Sequence, residues 1–194
     1  MMQTRRLTEV KEHLRSGRVY RREDFTPWSA SVDRHLKALV DAGDLKKLRY
    51  GLYYYPKKLA FGEAPASERE LLQAFLRTDR FVVTSPNLYN QLGLGTTQLY
   101  NKRVVYNQKR HGTFDFGGRV YRFERRMNIP RKLSKEFLLV DLVNELDQLA
   151  EDLDRVSARV EHTAKRMDSR KLVRAVKLYA KRSSLRTWKA LGYA

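Results

Sequence analysis

The sequence predicts an α+β fold in two parts, and three observations carry that reading. From Ser29 to Gly43 the apolar residues Val32, Leu36, Leu39 and Val40 recur at helical spacing, and two β-prone runs follow, Leu45 to Arg49 and Leu52 to Tyr55, joined through Tyr50-Gly51. From Phe81 to Arg126 short strand-like runs are separated by glycine-bearing turns. From Ser134 to Leu191 there is neither proline nor glycine, and the pattern is helical. A capped helix followed by a hairpin, with two shorter helices before it, is the order of a winged helix-turn-helix. The expectation is such a module over 1–58, then an α+β domain over 67–194 with a small antiparallel sheet and C-terminal helices.

The first helix is expected over Thr4 to Ser16, where Leu7, Val10 and Leu14 share a face, with Thr4 as cap and Gly17 as stop. Ser16 to Tyr20 reads as a connector or a short strand pairing with the wing. Arg21, Arg22 and Glu23 enter a short second helix ended at Thr26-Pro27. The hydroxyl of Ser29 or Ser31 can accept from an orphan amide in the third helix, and Gly43 suits its left-handed stop. Gly51 can supply the positive φ of the hairpin turn. Lys57 to Ala66, with Gly62 and Pro65, reads as a linker.

The second part opens on a capping box, Ser67 with Glu70 three residues on, ahead of Leu71, Leu72, Phe75 and Leu76. Phe81 to Thr84 is a compact strand. Ser85-Pro86 starts a short helix ending at Gly93. Three strands are expected at Leu99 to Gln108, Gly112 to Phe116 and Arg119 to Arg126, the last two joined by Gly117-Gly118. Leu139, Leu142, Leu146, Leu149, Leu153, Val156 and Val160 form a seven-residue apolar repeat. It suits either a self-association seam or the buried face of one or two helices in a bundle. Asp168 caps a further helix with Leu172, Val176 and Tyr179 inward and Arg170, Arg174, Lys177 and Lys181 opposite. Ser183 or Ser184 starts a last helix holding Trp188 and Leu191.

Charge narrows the function. The net charge is +18 and the pI near 10.2, which points to a polyanionic partner. Residues 1–60 and 61–133 are each net +7, 134–166 is net −3, and 167–194 is again net +7. The absence of cysteine fits a reducing compartment. The start, MMQTRRLTEVKEHL, carries no signal-length apolar core and no run approaches a membrane span, so a soluble, cytoplasmic protein with no membrane partner is expected.

On the third helix Arg34 lies almost opposite the apolar stripe, flanked by Ala30, Ser31, Lys37, Ala38 and Asp41. Small residues at the entry, Ser29 and Ser31 among them, allow close approach to a groove. Arg34 and Lys37 can reach base edges or phosphates. Lys46, Lys47 and Arg49 on the wing, with Tyr50 at its tip, and Arg21 and Arg22 ahead of the helix complete a set suited to double-stranded DNA.

Signatures of catalysis are missing. The four histidines (His13, His35, His111, His162) lack partners at metal-ligand spacing, and no phosphate-cradling loop or nucleophile elbow occurs. The carboxylates Asp141, Glu145, Asp147, Glu151, Asp152 and Asp154 invite a metal-dependent nuclease reading, but they alternate with the leucine stripe and read as a solvated acidic face. Neither enzyme, cofactor nor metal is expected.

The wing RYGLYYYP, the segment SPNLYNQLGL, the glycine-turn hairpin GTFDFGGRVYRFER and the helix start LSKEFLLVDLV follow in this order. Together they resemble the AbiEi-type antitoxins of abortive-infection (type IV) toxin–antitoxin systems, over nearly the whole chain. The chain is shorter than the longer members of that family. The resemblance implies a winged helix that binds inverted repeats in its own promoter and represses the operon. It also implies a C-terminal domain that counteracts a cognate nucleotidyltransferase-like toxin, by direct contact or indirectly, in phage defence. Arg170, Arg174, Lys177 and Lys181 are candidates for the antitoxin surface; a solvated face and extra DNA contact compete with that role. A monomer or weak dimer, pairing on DNA, fits an inverted repeat. An RNA-binding or translation-associated protein is the alternative, since surface Arg and Tyr can stack on bases.

Overall fold

The computed structural model describes residues 2–94, 101, 103–148 and 153–194. It is α+β and divides into two compact units, Met1–Asp79 with Asp115–Arg119, and Arg80–Phe114 with Val120–Ala194.

The first unit begins with α1 (Met2–Glu12), β1 (Val19–Arg21) and a 3-10 helix (Arg22–Trp28) that runs through Pro27 instead of stopping before it. Next come α2 (Val32–Asp41) and a hairpin of β2 (Lys46–Arg49) and β3 (Leu52–Tyr54). The apolar spacing does what it predicts: Leu36 and Leu39 of α2 share a buried core with Val10 of α1 and Leu14 just beyond it, and Phe25, Val32 and Leu45 complete that core. Burying a Leu or Phe side chain contributes about 1.5–3 kcal/mol, which is what holds so short a helix in place. Trp28 stacks on His13 with ring centroids 4.9 Å apart, and Phe25 meets Tyr20, Trp28 and Tyr53 edge-on. The connector after α1 does become a strand: β1 pairs antiparallel with β3, Val19 opposite Tyr54 and Arg21 opposite Leu52, giving the order β1-β3-β2. Gly51 turns the hairpin at φ +72°.

Three expectations for the first unit are corrected. The segment read as a linker is a second antiparallel hairpin, β4 (Lys57–Leu59) with β5 (Gly62–Ala64). It shows no alternation in sequence because both strands are largely exposed and Phe61 at its tip is fully so. The helix placed at the head of the second domain, α3 (Glu68–Leu76), belongs to the first unit. The capping box does not form. Ser67 makes no side-chain cap, and the Glu70 carboxylate instead accepts from Arg18 Nε at 2.8 Å and from the Val19 amide at 3.4 Å.

The second unit holds a four-stranded sheet in the order β6-β7-β9-β8, made of β6 (Phe81–Thr84), β7 (Val104–Asn107), β8 (Gly112–Asp115) and β9 (Val120–Arg125). Between β6 and β7 a 3-10 helix (Pro86–Leu92) starts as expected, Ser85 Oγ accepting from the Asn87 amide at 3.4 Å. β6 and β7 are antiparallel, but β7 and β9 pair in parallel, Val104 opposite Arg122 through Asn107 opposite Arg125. The small antiparallel sheet expected here thus carries one parallel pair, where β9 lies between β7 and β8. The buried Asn107 stabilises the exit from β7, its Oδ1 accepting from the amides of Lys109 and Arg110 at 2.9 and 2.6 Å.

Beyond the sheet lie α4 (Lys135–Asn144), a 3-10 turn (Leu146–Gln148), α5 (Leu153–Lys165), α6 (Ser169–Tyr179), a 3-10 turn (Arg182–Ser184) and α7 (Leu185–Ala190). Ser134 and Asp168 cap α4 and α6, accepting from the amides of Phe137 and Lys171 at 3.1 and 3.0 Å. The leucine repeat is not one uninterrupted helix, since the 3-10 turn breaks it. Leu139, Leu142, Val156 and Val160 are buried in the unit's own core, together with Leu172, Val176 and Trp188. Leu149 lies outside the described residues, as do Leu99, Glu151 and Asp152. No helix among the described residues is long and apolar enough to cross a membrane.

Candidate nucleic-acid interface

The outward side of α2 carries Asp33, Arg34, Lys37 and Asp41, all exposed, opposite the buried Val32, Leu36 and Leu39. Arg34 and Lys37 have no acidic partner among the described residues. Two cations one turn apart with their donors in solvent can bind phosphate oxygens or base-edge acceptors. Of the two serines, Ser31 is partly exposed at the helix start, where it makes no side-chain cap. Ser29 is withdrawn from the set: it is buried, its Oγ 2.8 Å from Nδ1 of the equally buried His35 and accepting from the Ser31 amide at 3.1 Å.

The remaining cations divide by partner. Arg22 forms a two-pronged pair with Asp33, Nε to Oδ1 and Nη2 to Oδ2 both at 2.7 Å. Hydrogen bonding first, and opposite charge second, hold the Arg22 guanidinium above its ordinary value; the same hydrogen bonds hold the Asp33 carboxyl below the usual carboxylate range. Arg21 leans on Glu23 and Asp24 at 3.5 and 3.6 Å, and Lys46 on Glu63 at 2.6 Å. Arg49 sits over the Phe75 ring at 5.9 Å, while Lys47 lies 5.9 Å from the ring of Tyr50, itself 88% exposed at the hairpin tip. The Arg22 amide donates to the Gly51 carbonyl at 3.0 Å, so the start of α2 and the hairpin tip are tied through one residue. Arg34, Lys37 and Lys47 therefore stand exposed with no acidic partner among the described residues, beside the exposed Tyr50 and the partly exposed Ser31. Nothing in the spacing of Arg22 and Asp33 along the chain signals that the two pair.

In the second unit Arg170, Arg174 and Lys177 are exposed on α6 as expected. Lys181 is not one of their row: α6 ends at Tyr179, and Lys181 turns inward to pair with Glu145 and, at 3.9 Å, Glu124. That pairing exposes a larger correction. Asp141 and Glu145, read as solvated, are buried at 0% and 6% exposure. Asp141 accepts from Tyr106 at 2.7 Å, Tyr89 at 3.1 Å, Thr84 at 3.5 Å and Arg126 at 3.3 Å. Arg122 reaches Glu124 at 2.5 Å and Glu145 at 2.9 Å; Arg126 reaches Glu124 at 3.1 Å. The network thus sets Glu124, Asp141 and Glu145 against Arg122, Arg126 and Lys181, and its charges balance. Burial pushes the Asp141 carboxyl up against the pull of Arg126 and the tyrosines. Burial works on Glu145 in the same sense, but bonds from Lys181 and Arg122 outweigh it and hold that carboxyl below its ordinary value. No group of three or more His, Asp or Glu among the described residues is arranged to hold a metal ion.

No family model, no curated protein and no solved structure matches the chain.

Proposed function

We propose that the chain is a DNA-binding transcriptional repressor and that it acts in the cytoplasm as an AbiEi-type antitoxin. Residues 1–58 serve as a winged helix-turn-helix, α2 entering the major groove of an inverted-repeat operator and the β2–β3 hairpin acting as the wing. The second unit opposes a nucleotidyltransferase-like toxin, with Arg170, Arg174 and Lys177 as the surface that does so. The antitoxin half rests on the family resemblance together with the charge of residues 167–194. One observation carries the DNA half: Arg34 and Lys37 stand exposed without acidic partners on the outward side of an amphipathic helix whose start is bonded, through Arg22, to the hairpin tip. The test is retarded migration of a duplex from the chain's own upstream DNA, against a scrambled duplex and a single-stranded RNA of equal length. Preference for the upstream duplex supports the reading. Preference for RNA replaces it with a base-stacking, RNA-binding role.

A further inference from the structure

Arg22 and Asp33 are both open to solvent, their side chains 44% and 74% exposed, yet they are locked fork to fork by two 2.7 Å bonds. Exposed ion pairs contribute little to stability, so the fold does not explain this geometry. What the pair does fix is placement. The backbone of Arg22 is bonded to Gly51 at the hairpin tip, and its guanidinium to the first turn of α2. Planar guanidinium pairing is directional, unlike a lysine ammonium, so it sets the angle of the helix start against the hairpin. The pair also cancels two charges beside Arg34. An unpaired Arg22 is a cation able to grip the phosphates of any sequence, and an unpaired Asp33 repels them all.

We infer that the Arg22–Asp33 pair is a specificity-determining clamp: it withholds a sequence-blind cation from the DNA backbone and fixes the angle at which Arg34 is presented to the bases. Arg22 and Asp33 are thus positioning residues. The inference rests on the DNA-binding reading above, and goes beyond it by assigning discrimination to a pair that reads no base.

The experiment measures the affinity of the full chain for its upstream duplex and for a scrambled duplex at several salt concentrations. Wild type is compared with Arg22→Lys, Asp33→Ala and the charge-conserving double variant Arg22→Ala with Asp33→Ala. Asp33→Ala is expected to bind both duplexes more tightly, with the slope of log affinity against log salt steeper by about 1. Its ratio between the duplexes falls about tenfold, within the range that one base-reading contact supplies. The double variant keeps the wild-type net charge and stays within about threefold of wild type on the scrambled duplex, yet loses the same ~tenfold discrimination, because the angle is no longer held. Arg22→Lys, which keeps the charge and loses the fork, falls between them. A double variant that discriminates like wild type overturns the clamp while leaving the DNA reading intact. Wild type that prefers neither duplex removes the DNA reading and the clamp with it.

Discussion

The guanidinium carbon of Arg126 lies 3.5 Å from the ring centroid of Tyr106, and the hydroxyl of that same tyrosine donates to Asp141 Oδ1 at 2.7 Å. The ring therefore has a cation on its face, while its hydroxyl and the cation both serve one buried carboxylate. β7, the residue just after β9 and α4 meet at that carboxylate.

Asp141→Ala should be the most damaging single substitution in the network. It takes their acceptor from the hydroxyls of Tyr89 and Tyr106 and one buried carboxylate from Arg126, which keeps Glu124, a loss of about 3–5 kcal/mol. Asp147→Ala, at an exposed position nearby, should stay within about 0.5 kcal/mol. Urea unfolding measures both, and a loss below about 1 kcal/mol for Asp141→Ala refutes the network's importance.

Acid should separate the two carboxylates. Glu145 has its folded value below the ordinary 4.5, so the stability it contributes is present above that value and is lost as pH falls through the lowered one. Asp141, whose folded value is raised above 3.8, has the opposite sign: burial of its charge costs stability at neutral pH, and proton uptake relieves that cost as pH falls through the interval. Glu145→Gln should therefore flatten the acid limb of stability against pH, and Asp141→Asn should steepen it. Unfolding midpoints taken between about pH 3 and pH 7 decide the matter. Curves parallel to wild type would contradict both assignments.

Arg34→Ala should cost about 1–3 kcal/mol on the operator and relax preference at one base position. An equal loss on the scrambled duplex would make Arg34 a phosphate contact. No loss on either would remove it from the interface.

Lys181 should separate from the α6 row. Arg170→Ser, Arg174→Ser and Lys177→Ser together should abolish protection from a co-expressed toxin, leave promoter repression intact, and change stability by no more than about 0.5 kcal/mol per site. Lys181→Ala should instead cost about 1–2 kcal/mol, discounted for a side chain a third open to water. Full protection by the triple variant at equal abundance would make the row a solvated face.

Local signals carried much of this fold. Gly43, Gly51, Gly93, Gly117 and Gly118 all adopt the positive φ their positions require, and the amphipathic spacing of α2 marked its buried face correctly. Tertiary contacts decided what was missed. α4 is buried all round, from Phe137 to Asn144, and a helix without a wet side gives periodicity nothing to report. Asp141 therefore looked solvated, when its real partners come from β6, β7, the 3-10 helix after β6 and Arg126 just beyond β9. In the candidate interface the cations were legible as a group. Which of them were already claimed was not, because Arg22 with Asp33 and Lys46 with Glu63 pair across long stretches of chain. The buried hydrogen bond that removes Ser29 was equally silent, since a serine before a helix is more often its cap.

The chain has two tryptophans, and each unit holds one: Trp28 stacked on His13 in the first, and Trp188, wholly buried, in the second. Each unit thus contains its own intrinsic fluorophore. With Trp188 replaced by Phe, emission reports melting around α1 and the first 3-10 helix; with Trp28 replaced, it reports melting around α4, α6 and α7. Two optical signals from one polypeptide tell whether its halves come apart in one cooperative step or in two, with no dye attached.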